Sequence, residues 1–297
     1  MKHLNLFSMM LAAMVGVSGC CITGDAPETK APETKAPAKK APAKKAAKKA
    51  PAKKSAVKKA AKKAPAKKAA VKKAAPNLTV EQEIKLTTTP IQYKRHAKRH
   101  AEKKAFAEAN KDKIKILMLG DSITHQWEYP AAKAAKAKYL DPYSILNLGC
   151  GGDRTQHTLW IIEKSGILEL IKPQLVTIMI GTNNHRNSPE ATIAGIKLIV
   201  EKVRARYPEA KILLYAIFPR GADNKDWRRA VNEKVNAEIV KFCDGDKVEW
   251  VDIRKNFLTA DGILERSVMP DLLHPRNVKG YSIWGESLKP YFEKYGK

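Results

Sequence analysis

Hydrophobic and polar positions divide the chain into stretches of different kinds. Residues 4–17 are mostly apolar, whereas residues 22–76 hold hardly any apolar side chain larger than Val. From residue 114 onward the pattern is regular. Runs at 114–119 (IKILML), 144–148, 175–180, 211–218 and 248–253 are predominantly apolar and of strand length. Helical patterns lie between them. One is capped by Ser188, opened by Pro189 and continued to about Arg206, before Pro208 stops it; a second spans 225–242, and a last one follows Asn277. A strongly polar helical stretch, 93–110, leads into the first strand. Apolar strands separated by helices predict an α/β domain whose parallel sheet is covered on both faces. In such sheets, ligands sit beyond the carboxyl ends of the strands.

Charge sharpens this division. The formal net charge of the 297 residues is +26, but residues 22–76 carry 18 Lys against three acids, while residues 111–297 carry 30 basic against 23 acidic side chains. Most of the basicity is therefore in a tail, and the rest has an ordinary globular composition. A chain disordered throughout is excluded, and a folded part built for nucleic acid is not expected. Residues 79–297 are long enough for one domain with a sizeable core.

The amino terminus reads as an address. Lys2 and His3 precede the apolar run, small residues follow it, and the run is too short for a spanning helix of about 20 residues. Val17-Ser18-Gly19-Cys20 resembles a bacterial lipobox. The resemblance implies cleavage after residue 19 and lipid on the Cys20 thiol, with firm membrane anchoring. Cys21, not Asp, follows, so the inner-membrane retention signal is missing. The expected location is the bacterial cell envelope, at the outer membrane or cell surface. Residues 20–78 then form a Lys/Ala/Pro-rich stalk that cannot bury enough apolar surface to offset its ordering entropy. Its lysines are either a solvated spacer or a grip on anionic cell-wall polymers.

Four short motifs fall at the predicted strand ends. Gly120-Asp121-Ser122 closes the first strand, the glycine permitting a tight turn that raises Ser122 above the sheet edge. Asn147 to Arg154 (NLGCGGDR) closes the second, and Gly181-Thr182-Asn183-Asn184 the third. Asp271-Leu272-Leu273-His274 precedes the last helix. An Asp three residues before a His can orient the imidazole through Nδ1–H and leave Nε2 to take a serine proton. Serine is a poor nucleophile without such a base. The developing oxyanion needs fixed donors, here the N–H groups of Ser122 and Gly152 and the Asn183 side-chain amide.

These blocks, in this order and spacing, resemble the GDSL or SGNH hydrolases, with Ser122, Gly152, Asn183 and His274 in the name-giving positions. GDSITHQW, NLGCGGDRTQHTLW, GTNNHRN, FPRG and DLLH resemble most nearly the catalytic subunits of intracellular platelet-activating-factor acetylhydrolase and their bacterial relatives. The resemblance covers the chain from about residue 90 to its end. It implies a flavodoxin-like three-layer fold, five parallel strands in order 2-1-3-4-5, and ester cleavage by Ser122, His274 and Asp271 without cofactor or metal. The expected substrate is a small-molecule or polysaccharide ester, chiefly O-acetyl groups on carbohydrate. The alternatives are a lysophospholipase or platelet-activating-factor-type deacetylase, and a non-catalytic wall-binding lipoprotein.

Other polar and aromatic residues near these motifs have competing readings. Asp121, Ile123, Trp127, Asp153, Arg154, Asn184 and His185 are candidate substrate contacts. Asp121, Asp153 and Asn184 fit equally a role holding the rim loops, and Trp127 a role in core or lid packing. Arg220 could reach a leaving group. His96 and His100, at i, i+4, lack a third metal ligand and read as a solvated helix face. Cys150 and Cys243 read as small buried hydrophobes.

Overall fold

The computed structural model describes residues 78–297. The expected signal, the Cys20 attachment point and the Lys-rich stalk lie outside the described residues.

Five strands, β1 (Ile116–Gly120), β2 (Ile145–Asn147), β3 (Leu175–Met179), β4 (Lys211–Tyr215) and β5 (Val248–Val251), form one parallel sheet in the order β2-β1-β3-β4-β5. Every residue of β1 and β3 is buried, which is why their sequences are apolar without alternation. Successive side chains still point to opposite faces. Leu117, Leu119, Val176, Ile178, Ile212 and Leu214 enter one core, and Ile116, Met118, Leu175, Met179, Leu213 and Tyr215 the other.

Among the described residues, eight α-helices accompany the sheet: α1 (Val80–Thr88), α2 (Ala97–Asn110), α3 (Ser122–His125), α4 (Lys133–Tyr139), α5 (Thr155–Lys164), α6 (Pro189–Arg206), α7 (Trp227–Ile239) and α8 (Val278–Tyr295). Leu159 and Ile161 of α5, Ile196, Ile199 and Val203 of α6, and Val235 and Ile239 of α7 fill the first core. Tyr139 of α4 and Tyr281, Trp284, Leu288 and Phe292 of α8 fill the second.

Two apolar runs overreach their strands for identifiable reasons. The run at 114–119 starts too early because Ile114 N–H still bonds Asn110 O at the end of α2. The run at 211–218 stops as a strand at Tyr215. Beyond it Asn236 of α7 replaces the ladder, its Oδ1 accepting Ile217 N–H at 2.8 Å and its Nδ2 donating to Ile217 O at 3.0 Å. Apolar continuity there reports burial, not extended backbone. Helix α1 has a capping box in which Thr79 and Gln82 satisfy each other's backbone N–H groups. It docks through Thr87, whose hydroxyl donates to Ala191 O of α6.

The solvated-face reading of His96 and His100 is overturned. Both side chains are buried. The turn into α2 and the first coil of that helix lie against the chain leaving β2, where His96 Nε2 meets Gly151 O at 2.7 Å and His100 Nε2 meets Cys150 Sγ at 3.5 Å. Burial pushes the His100 pKa down to about 4, so this ring is neutral. Among the described residues, no three His, Cys, Asp or Glu side chains converge as metal ligands, and no helix is long and apolar enough to cross a membrane.

Candidate active site

Strand β1 ends at Gly120, where a side chain has no room. An added Cβ would stand 2.1 Å from Thr124 Oγ1 and 2.6 Å from Met179 O. The chain turns at once into α3, whose N-cap is Asp121, its Oδ1 accepting Ile123 N–H at 2.9 Å. Ser122 is therefore the first helical residue, where backbone N–H groups have no intrahelical partner.

The chain leaving β2 is stitched to this turn. Asn147 Nδ2 donates to Thr124 O at 2.8 Å, its Oδ1 accepts Gly149 N–H at 2.9 Å, and Cys150 N–H reaches Gly120 O at 3.3 Å. Gly152 follows with φ +84°, backbone that L side chains rarely adopt. After β3, a 310 turn over Thr182–Asn184 presents Asn183, whose Nδ2 donates to Asp153 O at 2.9 Å. A side-chain amide carries two hydrogens, so the second remains to be given.

The segment before α8 supplies the base. Asp271 Oδ1 accepts the backbone N–H groups of Leu273 and His274 at 3.1 and 2.8 Å. Leu272, between them, has φ +58°, a left-handed conformation for a branched side chain. Its carbonyl accepts Gly221 N–H, which holds the bend against the loop after β4. The bend aims the imidazole. Its Nδ1 lies 2.7 Å from Asp271 Oδ2, and its Nε2 lies 2.8 Å from Ser122 Oγ. Since the carboxylate only accepts, Nδ1 carries the hydrogen, and the serine hydroxyl donates into Nε2.

The electrostatics suit a base. Burial lowers the His274 pKa below its ordinary value of 6.5, and the hydrogen bond and charge of Asp271 oppose that without reversing it. Burial pushes the Asp271 carboxyl up, but the bonds from the His274 backbone and ring, and the charges of His274 and Arg276, bring it net below its ordinary value. Near neutral pH the pair is thus imidazole and carboxylate.

Residues 118–283 match the family model described as GDSL-like Lipase/Acylhydrolase. The chain belongs to this family. It is 35% identical over 176 residues to platelet-activating factor acetylhydrolase IB subunit alpha1 of Homo sapiens, a match covering 57% of this chain and 72% of that protein. To subunit alpha2 of Rattus norvegicus it is 34% identical over 163 residues, covering 54% and 68%. The fold is shared with a solved GDSL-like lipase from Bacteroides thetaiotaomicron, at a TM-score of 0.53 and 22% identity over 68% of this chain and 97% of that one. The chain is an acylhydrolase by family.

The structure brings Ser122, His274 and Asp271 into one hydrogen-bonded line and places Gly152 and Asn183 on the loops beside it. It does not bring all the candidate substrate contacts to the surface. Asp121, Ile123, Trp127, Asp153 and Asn184 are buried, so their side chains present nothing to a substrate. Trp127 packs among Tyr281 and Trp284 in the second core. Asn184 Oδ1 accepts Thr155 N–H at 3.1 Å and fixes the start of α5. Arg154 and His185 are only half-buried and remain available. Arg220 is also buried, and its Nη1 donates to Thr182 O and Oγ1, so it braces the Asn183 turn.

Sequence reasoning missed the residues of α2 that hold the chain leaving β2. Arg99 donates to Gly149 O at 2.9 Å and Asn147 O at 3.2 Å. With Lys103 it also pairs with Glu128. The signal was present: His96, Arg99, His100 and Lys103 recur at i, i+3, i+4, i+7, one face of a helix.

Proposed function

We propose that the chain is a serine esterase that hydrolyses short-chain acyl esters, chiefly acetyl esters, and that its natural substrate is an O-acetyl group on carbohydrate. One observation carries the mechanism: the unbroken line from Asp271 Oδ2 through the His274 ring to Ser122 Oγ, with steps of 2.7 and 2.8 Å. Ser122 Oγ attacks the acyl carbon while His274 Nε2 takes its proton, and Asp271 holds the imidazolium that results. The carbonyl oxygen, now anionic, is met by the Ser122 and Gly152 N–H groups and the Asn183 amide. His274 returns the proton to the departing alkoxide, which leaves as the alcohol. Water then attacks the acyl-enzyme with His274 again as base, and the acid is released.

The names of the relatives, acetylhydrolase subunits, favour a small acyl group. An aromatic platform favours a sugar as its carrier. Trp227 is 57% exposed, and its ring stands edge-on to His185 at 5.6 Å, while His185 Nδ1 bonds Thr182 O beside Asn183. An exposed indole at a rim offers the apolar face of a pyranose a surface to lie on. The lipobox-like Cys20 and the Lys-rich stretch support an exported, lipid-anchored enzyme whose lysines are available to anionic wall polymers. The same relatives support a second reading, a phospholipid deacetylase.

Acetate release from acetylated xylan, acetylated peptidoglycan, a platelet-activating-factor-type phospholipid and p-nitrophenyl acetate distinguishes the two. Faster turnover of either polysaccharide supports the carbohydrate reading; faster turnover of the phospholipid sinks it. A Cys20→Ala chain that stays in the membrane fraction would sink the anchor.

A further inference from the structure

We infer that His96, on the turn into α2, is a positioning residue for acyl transfer: its ring latches the Gly151–Gly152 peptide so that the Gly152 N–H points at the reacting oxygen. The inference rests on the reading of Ser122 as nucleophile and goes beyond it. It assigns a role to a residue outside the 118–283 segment that matches the family.

In a trans peptide the C=O of one residue and the N–H of the next lie in one plane and point opposite ways. The Gly151 carbonyl and the Gly152 N–H are such a pair, so whatever holds the carbonyl also aims the N–H. His96 Nε2 holds it, at 2.7 Å. A carbonyl only accepts, so Nε2 carries the hydrogen. Donation to the carbonyl oxygen also polarises the amide and strengthens its N–H as a donor on the other side.

Packing does not do this work. Both residues are glycine, and an added Cβ would meet nothing closer than 3.8 Å at Gly151 or 3.7 Å at Gly152. No side chain of its own resists rotation of the peptide between them, and the turn bond from Asp153 N–H to Cys150 O at 3.1 Å spans that peptide without engaging its C=O or N–H. The chain before it is already fixed: Arg99 holds the carbonyls of Asn147 and Gly149. Three alternate carbonyls, at 147, 149 and 151, are thus held by two side chains, and the last belongs to the peptide whose N–H is the Gly152 oxyanion donor of the proposed mechanism. The His96 ring is itself confined. It is buried, with the Tyr93 ring edge-on at 5.2 Å and the His125 ring at 6.4 Å.

The test uses the full chain, p-nitrophenyl acetate and four variants, Ser122→Ala, His96→Met, His96→Gln and His96→Asn. Gln places an amide nitrogen near the position of Nε2; Asn is too short, and Met cannot donate. Losing an oxyanion donor outright costs about 100- to 1,000-fold in rate, so a misaimed one is expected to cost about 10- to 100-fold. His96→Met and His96→Asn should lose that much in kcat with KM changed less than about threefold, and the affinity for a boronic acid that forms a tetrahedral adduct on Ser122 should fall in parallel. His96→Gln should recover most of both. If His96→Met does not fold, the Gln and Asn pair decides by itself, since the two differ only in reach. The inference is overturned if the foldable donor-less variant keeps kcat within about twofold of the natural chain, if its loss is confined to KM, or if Gln is no better than Asn. An inactive natural chain would sink the esterase reading instead, and activity retained by Ser122→Ala would do the same.

Discussion

The Oγ of Ser122 stands 2.8 Å from Nε2 of His274, although 152 positions of chain separate the two residues. The serine is thus hydrogen-bonded to its base. Ser122→Ala should lower kcat by at least about 10,000-fold, because nucleophile and base act as one unit. A fluorophosphonate probe should label the natural chain at Ser122 and leave the variant unlabelled; labelling elsewhere, or activity retained, removes the mechanism.

The pH profile follows from the His274 environment. Catalysis needs the neutral ring, so kcat/KM should fall on the acid side as pH drops through its pKa. Burial places that pKa below the ordinary 6.5, and the acid limb should therefore have its midpoint below 6.5. Asp271 is the contact that raises it. In Asp271→Asn the pKa should fall further and the acid limb should move to lower pH, while kcat drops by about 10,000-fold because the tautomer is no longer enforced. A limb that moves to higher pH contradicts this account.

Two buried carboxyls beside the site make stability pH-dependent in the unusual direction. Burial raises the pKa of Asp153, and the Asp121 charge raises it further; burial raises that of Asp121 as well. Among the described residues, neither Asp153 oxygen has a hydrogen-bond donor. A carboxyl whose folded pKa exceeds its unfolded value near 3.8 adds stability below that value and loses it as pH climbs through the folded pKa. The natural chain should therefore melt lower at about pH 8.5 than at about pH 5, and Asp153→Asn should narrow that gap. Calorimetry at the two pH values checks it, and an unchanged gap counts against the assignment.

Helix α8 lies so close to α4 that position 285 has no space for a methyl group. A Cβ on Gly285 would stand 2.3 Å from the ring of Tyr139, which is buried and bonded through its hydroxyl to Glu286. Alanine favours a helix over glycine by about 1 kcal/mol, but overpacking costs about 1–3 kcal/mol, so Gly285→Ala should be neutral to destabilising by about 2 kcal/mol. The Tm should fall by up to about 8 °C, with kcat of the folded fraction unchanged. A rise in Tm would show that the two helices part freely.

The sequence alone determined the elements and the chemistry that local pattern encodes. The strands announce themselves as apolar runs, most clearly the fully buried β1 and β3, because both faces of a covered parallel sheet exclude water. The Ser188-Pro189 start of α6 and the Asn277 start of α8 were legible because caps are local. So was the Asp271-to-His274 spacing, since three residues of chain can bring a carboxylate to an imidazole. Where the strand register ends was not legible in the same way: the backbone around Ile217 is satisfied by Asn236, a partner 19 residues away that no local pattern names.

Only the tertiary structure decided which polar side chains face water. His96 and His100 read as a wet helix surface, because charged neighbours surround them in sequence; the turn before α2 and its first coil put both against the chain leaving β2, and burial reversed their meaning. Trp127 and Asp153 sit next to motif residues in the chain yet point into the core. Adjacency in sequence places a backbone, while the direction and solvation of a side chain depend on what distant segments pack against it. The Ser122–His274 contact is the plainest case: residue types could suggest it, but only the closing of the sheet and the bend at Leu272 put a proton within reach of its acceptor.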